Sequence, residues 1–316
     1  MNQAEIPVVI THFIGKPTYL KFALKSAADF NKTVVLIGSD SNQDFWEHHW
    51  NTTLIECEKY QEFKKWYVKM CTYDEKYDDV CWKRLFMLEE WMKRNNATQA
   101  FFLDSDIMTF ANYSSVLAPV LSGNYTTFLN EPQNQSNFRW SSCSHFAYWT
   151  LEAIEDFTSF CIEAYRSNKD LRTQLDAKWQ WHIDNQQPGG ICDMTLLYFW
   201  SKNNPRVANF TKVINDMTVE HCINVSENYL DDEYQMQLGV KKIIFKNGIP
   251  YGFNKDLKKE IRFLCIHCQG TAKILMRFFY YKNLRSFYLI AKVLEILKRK
   301  TKFFIEGIKK GGQSVQ

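Results

Sequence analysis

The sequence lacks the features of a secreted, membrane-spanning or disulfide-stabilised protein. Residues Met1–Pro7 contain no basic region followed by an apolar stretch, so we expect no secretion signal. The longest apolar run is far shorter than the ~20 residues that a bilayer-spanning helix needs. The nine cysteines are odd in number and scattered, which favours free thiols in the cytoplasm. Asn-x-Ser/Thr triplets, for example at Asn51, are therefore expected to be chance occurrences and not glycosylation sites.

Two further absences restrict the classes of site. Cys265 and Cys268 have the spacing of a zinc-binding pair, but no second pair follows, so structural zinc is not expected. A sugar nucleotidyltransferase needs a glycine-rich, basic loop directly after its first strand, and residues 12–19 offer only Gly15 and Lys16. The sequence also contains no internal repeat and no low-complexity linker. The chain therefore indicates one main domain, which we place at residues 1–272.

Positive charge is concentrated in the remaining residues, 273–316. Between Lys273 and Lys310, eleven Lys or Arg residues face two Glu residues, a balance of +9, so a net charge of +4 leaves −5 elsewhere. Apolar residues alternate with these cations, which predicts a basic, amphipathic helical extension. It either packs on the domain with a solvated lysine face or attaches to an anionic membrane surface through residues 298–302. We expect no nucleic-acid partner.

Alternating apolar strands and helices predict an α/β fold. Predicted strands at Ile6–Thr11 and Thr33–Gly38 flank a helical segment at Tyr19–Asp29, which implies parallel pairing through a right-handed crossover. Further predicted strands are Leu54–Glu58, Tyr125–Leu129 and Lys241–Phe245. Further predicted helices are Cys81–Arg94, Leu151–Tyr165 and Asp193–Trp200.

The most informative segment is Phe101–Met108, in which three apolar residues run directly into Asp104-Ser105-Asp106. The apolar run predicts a buried central strand. Because a buried, unpaired carboxylate is costly, we expect both carboxylates at the carboxyl end of this strand, the edge where open α/β sheets bind ligands. Paired carboxylates there suit Mn²⁺ or Mg²⁺, which in turn can hold a diphosphate.

Other segments supply groups that could complete such a site. His267, Gly270 and Lys273 recur at three-residue intervals and offer an imidazole ligand, close backbone approach to a phosphate and a positive charge. Arg84 lies on the helix that leads into the acidic strand. Asp193 begins a helix after a Gly-Gly turn, where it either caps the helix or faces a substrate hydroxyl.

At these residues the chain resembles glycosyltransferases of the GT-A fold, most closely the retaining family 8 type. That family pairs an Arg-Leu helix with an apolar strand ending in Asp-x-Asp and a late His-x-x-Gly-x-x-Lys; here these are Arg84-Leu85, residues 101–106 and His267–Lys273. The resemblance implies a GT-A, Rossmann-like fold whose mixed, mainly parallel sheet is flanked by helices. It also implies transfer of a sugar, with a UDP-sugar favoured as donor, to a hydroxyl of a glycan or lipid-linked glycan.

The resemblance assigns roles to individual residues. Asp104, Asp106 and His267 would hold Mn²⁺ or Mg²⁺, which requires the late histidine to lie beside the acidic pair. Arg84 and Lys273 would stabilise the departing diphosphate, and Asp193 would orient donor or acceptor. The remaining predicted donor-site residues lie at strand ends and within the motifs: Thr11, His12, Asp40, Ser105 and Gly270.

The chain departs from the family mainly on the acceptor side. Asp193-Met194-Thr195 stands where the family has Asp-Gln-Asp, and Ile274-Leu275 stands where Pro-Trp follows the lysine. Residues 143–149 and 186–192 are candidates for a loop that closes over the site. Retention is favoured, although an inverting reaction with Asp193 as base stays open. The rival hypotheses are a sugar nucleotidyltransferase and a non-catalytic protein that binds a membrane surface.

Overall fold

The computed structural model describes residues 5–297. Its strands are β1 (Val8–Thr11), β2 (Val34–Gly38), β3 (His49–Asn51), β4 (Gln99–Asp104), β5 (Ile107–Thr109), β6 (Thr127–Asn130), β7 (Cys143–Thr150), β8 (Val207–Asn209), β9 (Met217–Thr218), β10 (Met236–Gln237), β11 (Val240–Lys241), β12 (Ile243–Lys246), β13 (Ile249–Asn254), β14 (Lys259–Phe263) and β15 (Cys265–His267). Its α-helices are α1 (Thr18–Phe30), α2 (Glu58–Trp66), α3 (Glu75–Arg94), α4 (Tyr113–Leu121), α5 (Leu151–Arg166), α6 (Lys169–Asp184), α7 (Asp193–Ser201) and α8 (Met276–Tyr280). Short 3₁₀ helices span Asp40–Phe45, Gly270–Leu275 and Lys282–Phe287, and residues 288–297 are α-helical.

The central sheet has the strand order β3-β2-β1-β4-β7-β6-β8. Strand β7 runs antiparallel to both of its neighbours, and every other pairing in this sheet is parallel. The predicted α/β architecture, with a mainly parallel sheet flanked by helices, is confirmed. Because both faces of the sheet are covered, the parallel strands β1, β2 and β4 are apolar along most of their length, without polar alternation.

The sheet separates two apolar cores. Successive side chains of a strand point to opposite faces, so Val8 and Ile10 of β1 belong to one core and Val9 belongs to the other. The first core contains residues of α1, α8 and the late strands. The second contains residues of α2, α3, α5, α6 and α7.

Two predictions of local structure are wrong. No strand forms at Leu54–Glu58, where Leu54 is 92% exposed in a turn; β3 supplies the next parallel strand instead. Residues 143–149 are not a closing loop, because they form β7, which is paired on both sides and buried. Their polar residues are interleaved with apolar ones on two covered faces, so no strand period was visible in the sequence.

Residues 186–192 do lie outside helices and strands, but they are anchored. Gly190 forms a β-bridge with Cys71, and the Ile191 amide donates to the Met70 carbonyl at 2.8 Å. A Cβ on Gly190 would lie 2.3 Å from that carbonyl oxygen, and the residue has φ +129°. Only glycine therefore fits this close approach of two backbones.

The described part of the C-terminal segment, residues 273–297, is mostly helical and packs on the domain. Leu275, Met276 and Phe279 are fully buried in the first core, and Tyr288 and Ala291 are 5% exposed there. The domain boundary at residue 272 stays a prediction, and residues 298–302 lie outside the described part of the chain. Within residues 5–297, no helix has the length and apolar character to cross a bilayer. The nine cysteines are all free thiols.

Candidate metal and diphosphate site

Pairing between two short strands brings His267 to the acidic pair. Strand β5 directly follows the Asp104-Ser105-Asp106 turn, and β15 pairs antiparallel with it so that His267 lies opposite Ile107. The Cys268 amide donates to the Asp106 carbonyl at 2.9 Å, which extends the pairing past the turn. As a result, His267 Nε2 lies 3.4 Å from Asp106 Oδ1.

Asp104, Asp106 and His267 form a cluster with the geometry of a divalent-metal site. One ligand atom from each residue lies within 4.8 Å of the others. Around one octahedral ion with bonds of about 2.1 Å, ligand atoms lie about 3.0 to 4.2 Å apart. A small closing movement of these side chains would therefore seat a divalent ion between two carboxylates and an imidazole.

Hydrogen bonding orients the His267 ring for this role. Its Nδ1 donates to the His221 carbonyl at 2.7 Å, so in the neutral ring Nε2 carries the lone pair that faces Asp106. Burial lowers the pKa of His267, but the negative charge of Asp106 outweighs burial and raises this pKa to about 9. Burial likewise opposes ionisation of Asp106, but His267 and Lys273 hold the pKa of its carboxyl well below the usual value.

A buried ion pair supports the backbone of His267. The His267 amide donates to Glu220 Oε2 at 2.9 Å, and Glu220 Oε1 lies 2.5 Å from Lys241 Nζ. Both charged side chains are 0% exposed. His145 of β7 stacks on the imidazole of His267, with ring centroids 4.4 Å apart and planes 14° apart. Sequence reasoning missed these supporting residues, since none lies in a motif and their contacts all cross between distant segments.

Two cations contact the acidic pair, one at each carboxylate. Lys273 Nζ lies 3.0 Å from Asp106 Oδ2 and 4.9 Å from the centroid of the Tyr19 ring. Its 3₁₀ helix begins at Gly270, which has φ +59° and no atom within 4 Å of an added Cβ. Glycine is therefore suited to this position by its backbone conformation and not by lack of space.

The second cation, Arg84, bridges two carboxylates. One terminal nitrogen of its guanidinium contacts Asp104, and the other lies 2.5 Å from Asp193 Oδ2. Cys192 occupies the N-cap of α7 and Asp193 is the first helical residue, so its side chain is not the cap. Burial raises the pKa of Asp193, and the charge of Arg84 opposes that rise. The structure thus places Asp193 beside the acidic pair.

The residues predicted at strand ends fall at different distances from this cluster. Thr11 is buried and lies beside Asp104 in the β1–β4 register. His12 donates from Nε2 to the Ile14 carbonyl at 2.9 Å, so its Nδ1 accepts from the Ser105 hydroxyl at 3.1 Å. Asp40 is exposed after β2 and accepts from Asn51 at 2.5 Å. Since β2 is two strands from β4, Asp40 is on the order of 10 Å from the acidic pair.

Comparisons with known proteins give structural likeness only. No family model matches this sequence, and a search of curated proteins finds no match. Mouse xyloside xylosyltransferase 1 is similar at 9% identity and TM-score 0.46, over 66% of this chain and 85% of that one. A glycosyltransferase involved in the glycosylation of the major capsid of PBCV-1 has 9% identity and TM-score 0.39, over 86% of this chain and 99% of that one. The galactosyltransferase LgtC has 13% identity and TM-score 0.34, over 54% of this chain and 70% of that one. Cytidylyltransferases also match. Likenesses this weak carry no argument about function.

Proposed function

We propose that this protein is a metal-dependent GT-A glycosyltransferase that transfers a sugar from a nucleotide diphosphate to a hydroxyl acceptor. The donor that we favour is a UDP-sugar, the ion Mn²⁺ or Mg²⁺, and the acceptor a glycan or lipid-linked glycan. The observation that carries the proposal is the convergence of Asp104, Asp106 and His267 with the cations of Lys273 and Arg84. The same residues carry the sequence resemblance to retaining family 8 enzymes.

The charges of the cluster favour a diphosphate once an ion is present. Without an ion, the raised pKa of His267 leaves its ring protonated at neutral pH, so three carboxylates (Asp104, Asp106, Asp193) are balanced by three cations. A divalent ion that replaces the His267 proton changes the net charge to +1. Lys273 is 33% exposed, so its ammonium can turn from Asp106 towards a phosphate oxygen. Ion binding therefore releases the proton of His267, and the positive cluster that results favours the anionic donor.

The reaction needs stabilisation of the negative charge that develops on the departing diphosphate. A bound ion supplies Lewis-acid stabilisation of that charge. Lys273 adds a second positive charge, and Arg84 holds Asp104 and Asp193 in fixed positions. Because Asp193 is already paired with Arg84, we assign it to orienting the donor or acceptor. This assignment favours retention over an inverting reaction that would need a free base.

The nucleotide would extend along the carboxyl ends of β4, β1 and β2, the ligand edge of an open α/β sheet. Thr11, His12 and Ser105 lie nearest the acidic pair, and Asp40 lies further along this edge. Gly270 would allow the backbone before Lys273 to approach the phosphates.

Release of UDP from a panel of UDP-sugars in the presence of Mn²⁺ tests this function. Asp106→Ala should abolish the release, and Asp170→Ala, at an exposed position on α6, should not change it. Release of pyrophosphate from a nucleoside triphosphate and a sugar phosphate would favour the nucleotidyltransferase instead. If neither Mn²⁺ nor UDP raises the melting temperature, the non-catalytic hypothesis replaces both.

We also propose that the C-terminal helix, residues 288–297, contacts an anionic membrane surface from the cytoplasmic side. Ile290, Val293, Leu294 and Leu297 recur at helical spacing and are 56%, 39%, 54% and 54% exposed. This face is apolar, in contrast to the solvated lysine face that simple packing on the domain would produce. The sequence around it is strongly basic, which complements anionic lipids.

Flotation of the protein with vesicles tests this attachment. We expect binding to vesicles containing phosphatidylserine, loss of binding in the Ile290→Ser/Leu294→Ser variant, and no loss with Leu238→Ser, which removes an exposed apolar residue elsewhere. Equal binding by all three proteins, or no binding to anionic vesicles, would contradict the attachment.

A further inference from the structure

A cavity of about 250 Å³ lies beside the start of α7. Cys192 and Met194, the neighbours of Asp193, both line it, and so does Tyr73. Burial raises the pKa of Tyr73, and the negative charge of Asp193 adds to this rise. The cavity is therefore adjacent to the carboxylate that Arg84 holds next to the acidic pair.

A buried lysine lines this cavity. Leu171, Leu175 and Lys178 form the buried stripe of α6, so the helix carries the ammonium of Lys178 inward, where the residue is 4% exposed. Lys178 Nζ donates to the Thr195 hydroxyl at 2.7 Å and to the Arg139 carbonyl at 3.0 Å. Both acceptors are neutral oxygens, and an ammonium has three N–H donors.

No carboxylate of residues 5–297 forms an ion pair with Lys178. The guanidinium of Arg139, which also lines the cavity, is already paired with both oxygens of Glu227 at 2.6 Å. Burying a charge without a counter-charge costs several kcal/mol, and two neutral acceptors offset only part of that. Burial lowers the pKa of Lys178 to about 8, so the side chain is still mostly charged at neutral pH.

We propose that this cavity binds the anionic group of an acidic acceptor sugar, a carboxylate or phosphate monoester, with Lys178 as its counter-charge. Small-molecule pockets generally measure about 300–1,000 Å³, so this cavity takes one sugar unit and not a longer glycan. Tyr73 and Phe138 supply aromatic walls, and Ser141 and His182 supply polar groups, a combination typical of such pockets. Assignment of the ligand as the acceptor rests on the proposed glycosyltransferase function.

Calorimetry with matched sugars tests the anion preference on the full-length protein. We expect glucuronate or glucose 6-phosphate to bind at least ten times more tightly than glucose. Whichever of these two sugars binds more tightly identifies carboxylate or phosphate as the preferred group. Lys178→Met should remove most of this preference. Lys65→Met, on the exposed face of α2, should retain it. Equal binding of acidic and neutral sugars by the wild-type protein would overturn the proposal, and that comparison needs no variant to fold.

A second variant separates the charge from the packing around it. Thr195→Val removes one hydrogen bond to Lys178 but keeps the ammonium, so the anion preference should persist. If Lys178→Met binds acidic sugars as tightly as the wild-type protein does, the counter-charge role is refuted.

Release of UDP without acceptor distinguishes the two proposals. UDP release with no preference for acidic sugars refutes this inference alone. An anion preference that depends on Lys178, without any UDP release or Mn²⁺ binding, refutes the glycosyltransferase function and the acceptor assignment, and leaves an acidic-sugar binding site.

Discussion

Replacing Arg84 with Met tests whether the buried carboxylate of Asp193 depends on its partner. The side chain of Arg84 is 11% exposed and that of Asp193 is 2% exposed, so the substitution leaves a carboxylate almost without solvent. Removing one member of a buried ion pair costs about 3–5 kcal/mol of stability, because the remaining charge is uncompensated. We expect Arg84→Met to lower the free energy of unfolding by that amount. The pair Arg84–Asp104 adds less, since Asp104 is 22% exposed.

A double-mutant cycle isolates the interaction. Asp193→Asn removes the negative charge that Arg84→Met leaves without a partner. The double variant should therefore be more stable, by about 1–3 kcal/mol, than the sum of the two single effects implies. Urea unfolding followed by tryptophan fluorescence measures all of these variants.

Arg94→Met is the matched control on the same helix. Arg94 pairs with Glu90 four residues earlier at 2.6 Å and is 51% exposed, so its loss should cost only about 0.3–0.5 kcal/mol. If the effects of Arg84→Met and Asp193→Asn simply add, or if Arg84→Met is as mild as Arg94→Met, the argument for a buried, mutually dependent pair is refuted.

Three other perturbations have defined outcomes. The pKa of His267 is raised from 6.5 to about 9, so with EDTA present this residue contributes about 3 kcal/mol to the free energy of unfolding below pH 6.5. That contribution is lost as the pH rises to 9. Urea unfolding of the wild-type protein should show this loss of stability, and the His267→Gln variant should lack it. Gly190→Ala places Cβ 2.3 Å from the Met70 carbonyl and should lower the melting temperature more than Gly239→Ala, which has open space at φ +75°; equal losses would contradict the close approach. Lys241→Met leaves the buried carboxylate of Glu220, which accepts from the His267 amide, without its counter-charge. Both the stability of the protein and its Mn²⁺ affinity, measured by calorimetry, should therefore fall. Adding Glu220→Gln should restore part of the stability. An unchanged Mn²⁺ affinity would show that the Glu220–Lys241 pair does not support His267 as a metal ligand.

Local patterns predicted much of the fold because they reflect burial on a regular period. The helix α1 was predicted within one residue at each end, and β2 and α5 were each predicted with a difference of one residue at one end only. The prediction of a strand at Leu54–Glu58 failed because a few apolar letters in a turn resemble a short strand. Strand β7 was missed for the opposite reason, since a strand covered on both faces can carry Ser and His without regular alternation.

The sequence by itself determined which side chains could form the metal and diphosphate site. The apolar run before Asp104 placed a carboxylate at a strand end, and the three-residue spacing of His267, Gly270 and Lys273 marked a second contributing segment. These features are local, so they can be recognised without knowing the path of the chain between them.

Only the tertiary structure decided how those side chains are held and what surrounds them. The β5–β15 pairing, the Glu220–Lys241 ion pair and the cavity at Lys178 all join residues that are distant in sequence. Burial sets the charge state and partners of such groups, and burial depends on every segment that packs around them. That is why Asp193, which its position alone would have made a helix cap, is instead the partner of Arg84.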